Sequence, residues 1–294
     1  MQARALRAWR HVAAVLVLLP VACTNTPVRH PSSVAGADVD SVQLPASVQQ
    51  GSLVIGRADP RANVTVGARR LRMSRDGRFV FGIGRDARGE VDVTVQFPGD
   101  AATVHPIAVT PREWPVERIV GAPPETVNPP PDIAARIERE QARVSSARTR
   151  DDDRDDYQQS FAWPVHGRIS GRFGNQRIYI LPDGSEASKA PHSGMDIAAP
   201  AGTPVLAPAA GVVAFADPDL YLTGGTVLLD HGHGVSSNFL HLSRIDVRIG
   251  DVVSQGQVIG AVGMTGRATG PHLHWGMNWF DVRIDPLLVL ERGR

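Results

Sequence analysis

One cysteine and one lysine stand in 294 residues. The cysteine, Cys23, has no partner within the chain, so an internal disulfide is excluded and the fold must rest on its core or on a metal. The lysine, Lys189, leaves nearly all positive charge to arginine. An excess of either sign is also missing: Lys+Arg 31 against Asp+Glu 30 gives a formal net charge of +1, and that balance points to no nucleic acid and to no strongly anionic surface. Nor is there a long apolar run near the start, where "VAAVLVLLPVA" is too short to span a bilayer comfortably as a helix.

That run follows a basic flank, "MQARALRAWRH", and ends in small residues before Cys23, which is the signature of an export signal over residues 1–23. The mature protein is therefore expected outside the cytoplasm: periplasmic, held at the outer membrane, or secreted. Cys23 sits where bacterial lipoproteins carry their lipid-modified cysteine, and Ala22 fits the residue before it. Leu19 lies one place too early and Pro20 holds the usual leucine position, so a membrane lipid anchor at Cys23 and ordinary signal cleavage both stay open.

Residues 24–45, rich in Pro, Ser and small residues, read as a flexible tether. Short alternating runs follow between about 46 and 110, among them "SLVIG", "NVTVG", "RFVFGIG" and "EVDVTVQF", broken by Gly, Asp and Pro turns. They predict a small β-sandwich domain over 46–120, with Asp76-Gly77 as a hairpin turn. This half carries no reactive cluster and reads as a spacer or binding module. Residues 121–160 form a Pro-rich and charged linker, helical or disordered: Asp132 is a candidate N-cap, Ile133, Ile137 and Val144 give a weak apolar stripe, and "RTRDDDRDD" reads as a solvated charge run. From 161 to 294 the texture is one of Gly-punctuated strands with almost no helical periodicity, so the expected fold class is all-β, ending in a β-sheet or barrel-like domain.

That last region holds histidine at informative spacing: "HSGMD" with His192 and Asp196, "DHGHG" with His231 and His233, "FLHL" with His241, and "HLH" with His272 and His274. Strand side chains alternate faces, so His272 and His274 point the same way and Leu273 points into the core. His192 and Asp196 share a face whether the segment is helical or extended. Two ring nitrogens against the apolar wall of Trp275, Trp279 and Phe280 are costly to leave unpaired. Singly, each histidine reads as a satisfied core or surface residue. Jointly they read as a metal centre: a structural zinc closes with four protein ligands, often cysteines, whereas a catalytic one keeps three and leaves a position for water, whose pKa it lowers toward about 7. The "DHGHG" pair is the exception, since its glycines describe a hairpin turn capped by Asp230 or His233.

"HSGMD", "FLHLS" and "GPHLHWG", in that order, with "GDVVSQGQVIGAVGMTGRATGPHLHW" leading into the last, resemble the lysostaphin-type or LytM-like zinc endopeptidases, which cut peptide cross-links of bacterial cell walls. The resemblance covers about 161–294. It implies one Zn2+ per chain bound by His192, Asp196 and His274, with His241 and His272 free beside the metal for acid–base catalysis and oxyanion stabilisation, and peptidoglycan peptide stems as substrate. Two details depart from the family pattern. Phe239 replaces a common Tyr, and an insertion, "QRIYILPDGSEASK", precedes "APHSG" and is placed to cover the groove, altering substrate choice or restraining activity.

Three other readings compete. Some LytM-like domains lack metal ligands and act as wall-binding or activating partners, but all five polar positions are present here. "GDVVSQGQVIG" also looks like a hairpin of lipoyl or biotinyl carriers, yet Lys189 is far from its tip. A purely structural envelope lipoprotein would leave the five polar residues without a role.

Overall fold

The alternating runs of the first half become eight short strands in a computed structural model that describes residues 42–292; the expected export signal, Cys23 and the tether up to residue 41 lie outside the described residues. The strands are β1 (Ser47–Gln49), β2 (Leu53–Arg57), β3 (Asn63–Val66), β4 (Arg69–Arg70), β5 (Arg78–Gly82), β6 (Glu90–Gln96), β7 (Thr103–Thr110) and β8 (Val116–Val120). Five of them form one sheet in the order β1-β7-β6-β3-β4, and β2 pairs with β5. Val64, Val93, Val95 and Ile107 of the sheet and Phe79 and Phe81 of the ribbon are buried in one apolar cluster. The turn at Asp76-Gly77 is present, with Gly77 at φ +81, but it is not a hairpin: β4 pairs with β3 and β5 with β2. Both residues of β4 are exposed arginines with no apolar face to set against Phe79, Val80 and Phe81, so β5 pairs instead with the buried Leu53 and Val54 of β2.

Two helices follow, α1 (Pro124–Val127) and α2 (Pro131–Ala147). The expected cap is displaced. Pro130 stands at the N-cap and Pro131 opens the helix, where its missing N–H costs nothing; Asp132 lies in the first turn, its charge suited to the helix dipole. Val144 and Ala147 pack against Phe215, Leu220 and Leu228, while Arg143 pairs with Asp217 at 2.8 Å. The charge run after the helix is not merely solvated: Arg72 meets Asp151 at 2.9 Å, Arg150 meets Asp230 at 3.3 Å, and buried Tyr157 lies 4.7 Å from the His233 ring. Tyr157 anchors the segment, and arginines alternating with aspartates allow pairing instead of repulsion.

The second half contributes β9 (Arg168–Gly171), β10 (Gln176–Ile180), β11 (Glu186–Lys189), β12 (Met195–Ala198), β13 (Pro204–Leu206), β14 (Gly211–Leu220), β15 (Gly224–Gly232), β16 (Val235–Leu242), β17 (Arg244–Ile245), β18 (Val252–Val253), β19 (Val258–Ala261), β20 (His272–Trp279), β21 (Val282–Ile284) and α3 (Pro286–Arg292). The main sheet runs β18-β14-β15-β16-β20-β12-β9, with β21 also on β20, and β13-β19-β17 form a smaller one. The fold is all-β in class. Every residue of β15 is buried, so this central strand is covered on both faces. The β15–β16 turn contains His233 and Gly234, both at positive φ, and Asp230 Oδ1 accepts from the Gly232 N–H at 3.0 Å, so "DHGHG" forms a capped hairpin.

The 176–189 insertion is the β10–β11 hairpin, and β10 also pairs in parallel with β8. This small sheet ties the 46–120 region to the 161–294 region. A second tie is the 2.8 Å pair between Arg112 and buried Asp285.

Candidate metal centre

Register places two of the polar residues side by side. In the antiparallel β12·β20 pair, Asp196 is directly opposite His274 and Ile197 opposite Leu273. Period-two alternation then sends Ile197 and Leu273 into the core while Asp196 and His274 meet on the other face. His192, in the loop just before β12, completes a group whose ligand atoms all lie within 4.8 Å of one another. His192 Nε2 is 3.0 Å from His274 Nδ1 and 3.1 Å from Asp196 Oδ1, and His274 Nδ1 is 2.8 Å from Asp196 Oδ1.

Hydrogen bonds around the cluster orient these atoms. The His192 Nδ1–H donates to the Arg172 carbonyl at 3.0 Å, which leaves the Nε2 lone pair facing its neighbours. Arg177 Nη2 donates to Asp196 Oδ2 at 2.6 Å, leaving Oδ1 for the cluster. Glu117 on β8 stands 3.6 Å from Arg177 Nε and accepts from Asn175 at 2.6 Å. His274 Nε2 is buried with no partner among the described residues. One proton on His274 Nδ1 cannot satisfy both facing lone pairs, whereas a cation can accept all three. The donor set of two imidazoles and a carboxylate therefore fits a divalent metal such as zinc.

Burial pushes the Asp196 carboxyl up, but the adjoining His192 and His274 outweigh it and hold the group well below the usual carboxylate range. Burial pushes His274 down to about 4, so its ring is neutral at pH 7. His241 is pushed down to about 3, first by burial and then by the nearby His272 and His274.

His241 and His272 stand beside the cluster. Their ring centroids are 4.7 Å apart, and His241 is 6.3 Å from His274. The His241 Nδ1–H donates to the Thr265 carbonyl at 2.7 Å and the His272 Nδ1–H to the Gly270 carbonyl at 2.8 Å, so each ring keeps Nε2 as its available lone pair. His241 holds φ at +65, a left-handed conformation that costs about 1–3 kcal/mol in a non-glycine residue and recurs at functional sites. Two cavities, of about 780 and 310 Å³, meet here. His192 and His274 line the larger, Asp196 and His272 the smaller, and Arg177, Tyr179 and His241 line both.

A crystal structure described as a peptidase M23 from Pseudomonas aeruginosa is 31% identical, with a TM-score of 0.63, over 82% of this chain and 94% of that one. The chain belongs to peptidase family M23. The family's own model, Peptidase family M23, matches residues 190–286, which include all five of these polar residues. The peptidoglycan DD-endopeptidase ShyA of Vibrio cholerae is 42% identical over 41% of this chain and 28% of its own length, and the cell division protein DipM of Caulobacter vibrioides 36% identical over 45% and 21%. The match thus spans about a quarter of these curated relatives.

The packing of the cluster also explains two glycines. A Cβ at Gly194 of "HSGMD" would lie 2.5 Å from the Trp275 carbonyl oxygen and 2.7 Å from His274 Nε2; one at Gly171 would lie 2.5 Å from Asp196 Oδ2. Gly194→Ala is therefore expected to cost about 1–3 kcal/mol of stability and to weaken metal binding by displacing His274. Denaturant melts and metal titration check this; unchanged values in both would refute the close-packing account.

Sequence reasoning missed Arg177 and Glu117, both outside the family match. A lone arginine immediately before the apolar "IYI" run of β10 was the available signal for the first. The structure brings His231 and His233 to neither cavity: His231 bonds the Ala210 carbonyl and Ser237, and His233 packs on Tyr157.

Proposed function

We propose that this chain is an exported, zinc-dependent endopeptidase that hydrolyses peptide cross-links of bacterial peptidoglycan. The observation that carries the reading is the convergence of three buried lone pairs, on His192, Asp196 and His274, beside two imidazoles whose Nε2 atoms are both free. The names of the M23 relatives support the substrate class, and their wall substrate supports export to the periplasm or the wall-facing membrane, with Cys23 as the residue a lipid anchor would use. One zinc per chain, held by His192, Asp196 and His274, supplies Lewis acidity toward water and the scissile carbonyl.

The remaining work falls to this chain's own side chains. Nε2 of His241 or His272 takes a proton from the attacking water and returns it to the amine as the C–N bond breaks, giving a carboxylate and an amine. The ring that has taken the water proton also faces the oxyanion developing on the substrate carbonyl and stabilises it as an imidazolium before the proton passes to the amine, while the other ring stays neutral and orients the water through its Nε2 lone pair. Arg177 and the Arg172 carbonyl hold Asp196 and His192 in orientation and are positioning groups. The β10–β11 hairpin, through Tyr179 on both cavities, shapes access to the site.

The test is digestion of defined cross-linked muropeptides, read by mass spectrometry. Zinc-loaded protein should open the cross-link, lose that activity with a chelator and regain it with Zn2+. Intact cross-links after incubation with fully loaded protein would refute the reading and favour a non-hydrolytic wall-binding or activating role.

A further inference from the structure

The larger cavity extends from His192 and His274 to α2 and β21, where Arg148 and Arg283 line its wall. Neither guanidinium has an acidic partner among the described residues. Among the described residues, Arg283 donates to Asn278 Oδ1 at 2.8 Å and Arg148 Nε is buried without a hydrogen-bond partner. Burial, then the charge of Arg283, pushes Arg148 down to about 9, and burial also lowers Arg283. Two like charges are thus held together in a partly desolvated place, which is unfavourable until an anion joins them.

The rest of the cavity wall does not supply one. Its two acids are engaged elsewhere: Asp86 pairs with Arg85 at 2.6 Å, and Glu140 with Arg136 at 2.6 Å and the Tyr221 N–H at 2.8 Å. Arg148 lies at the C-terminal end of α2, where the helix dipole favours a cation, but that partial charge does not account for Arg283 on a strand. Asn238 Oδ1, buried on the same cavity, also lacks a partner among the described residues and is free to accept an N–H from a ligand.

We propose that Arg148 and Arg283 form a carboxylate subsite, which docks a free carboxylate of the peptide substrate within the cavity that opens onto the metal centre. Guanidinium groups suit a carboxylate because their planar donor forks match its two oxygens. The proposal rests on the endopeptidase reading for the identity of the peptide, but the anion preference stands on the cavity itself.

The experiment compares a cross-linked muropeptide dimer bearing free carboxylates with the same dimer amidated at those groups. Using the zinc-loaded full chain, Arg283→Gln and Arg148→Gln should raise KM for the free-carboxylate dimer by about ten- to hundredfold, the range of a lost charge-assisted hydrogen bond, with little change in kcat. Hydrolysis of the amidated dimer should be indifferent to both substitutions, Arg283→Lys should restore part of the loss, and Tm should not fall, because a like-charge repulsion is relieved. Equal losses on both dimers, or none on either, would overturn the subsite. Calorimetry with uncross-linked muropeptide, free or amidated, separates this from the enzymatic reading. If neither dimer is cut, tighter binding of the free form that Arg283→Gln abolishes still supports the subsite, and equal binding of the two forms refutes it.

Discussion

Alanine at His192 or at Asp196 should remove metal and turnover together. Each supplies one of three converging atoms, and no other side chain among the described residues joins that group. His272 Nε2 comes within 3.8 Å of Asp196 Oδ1, but its Nδ1–H is committed to the Gly270 carbonyl, and moving it in would break that bond. Loss of the metal forfeits several kcal/mol of transition-state stabilisation, so kcat/KM should fall roughly a thousandfold or more. Asp196→Asn is the sharper variant, since it keeps the shape, removes the charge that the Arg177 guanidinium and the imidazoles face, and should also bind less zinc. Metal analysis alongside kinetics decides it; full zinc occupancy in both His192→Ala and Asp196→Ala would overturn the ligand assignment.

The pairing within "HLH" was legible because strand alternation is local: His272 and His274 share a face and Leu273 is buried, as two-residue periodicity requires. The same rule could not say which strand lies beside β20. That Asp196 faces His274 is a matter of register between segments far apart in the chain, set by the packing of Ile197 and Leu273 into the core. The all-β class was readable from Gly-punctuated alternation, whereas the β8·β10 pairing was not, because neither strand alone advertises a parallel partner. Asp132 illustrates a different limit: capping residues compete, and a Pro-Pro step fixes backbone dihedrals before a side chain can act. Arg177 could be picked out as a charge beside an apolar run, but its partner could not, for the same reason as the register: it reaches Asp196 only once the insertion folds against β8.

His241 and His272 provide the second large effect, and it should separate chemistry from metal binding. Their Nδ1–H groups donate to backbone carbonyls, so both rings are fixed in the tautomer that leaves Nε2 free, and neither belongs to the three-atom cluster. His241→Ala and His272→Ala should each keep zinc yet lose about a hundredfold or more in turnover, as expected for groups that move protons in the transition state. His241 offers a control that a merely structural histidine would fail. Its left-handed φ is better suited to glycine, so His241→Gly should relieve backbone strain that partly offsets the lost packing, leaving Tm near the wild-type value while activity collapses. A large drop in Tm with proportionate loss of zinc would make His241 a support for the fold. Zinc lost in His272→Ala but retained in His274→Ala would reverse the two roles within "HLH": the ring that bonds Gly270 would then be the ligand, and the buried one facing Asp196 would be left to act on the substrate.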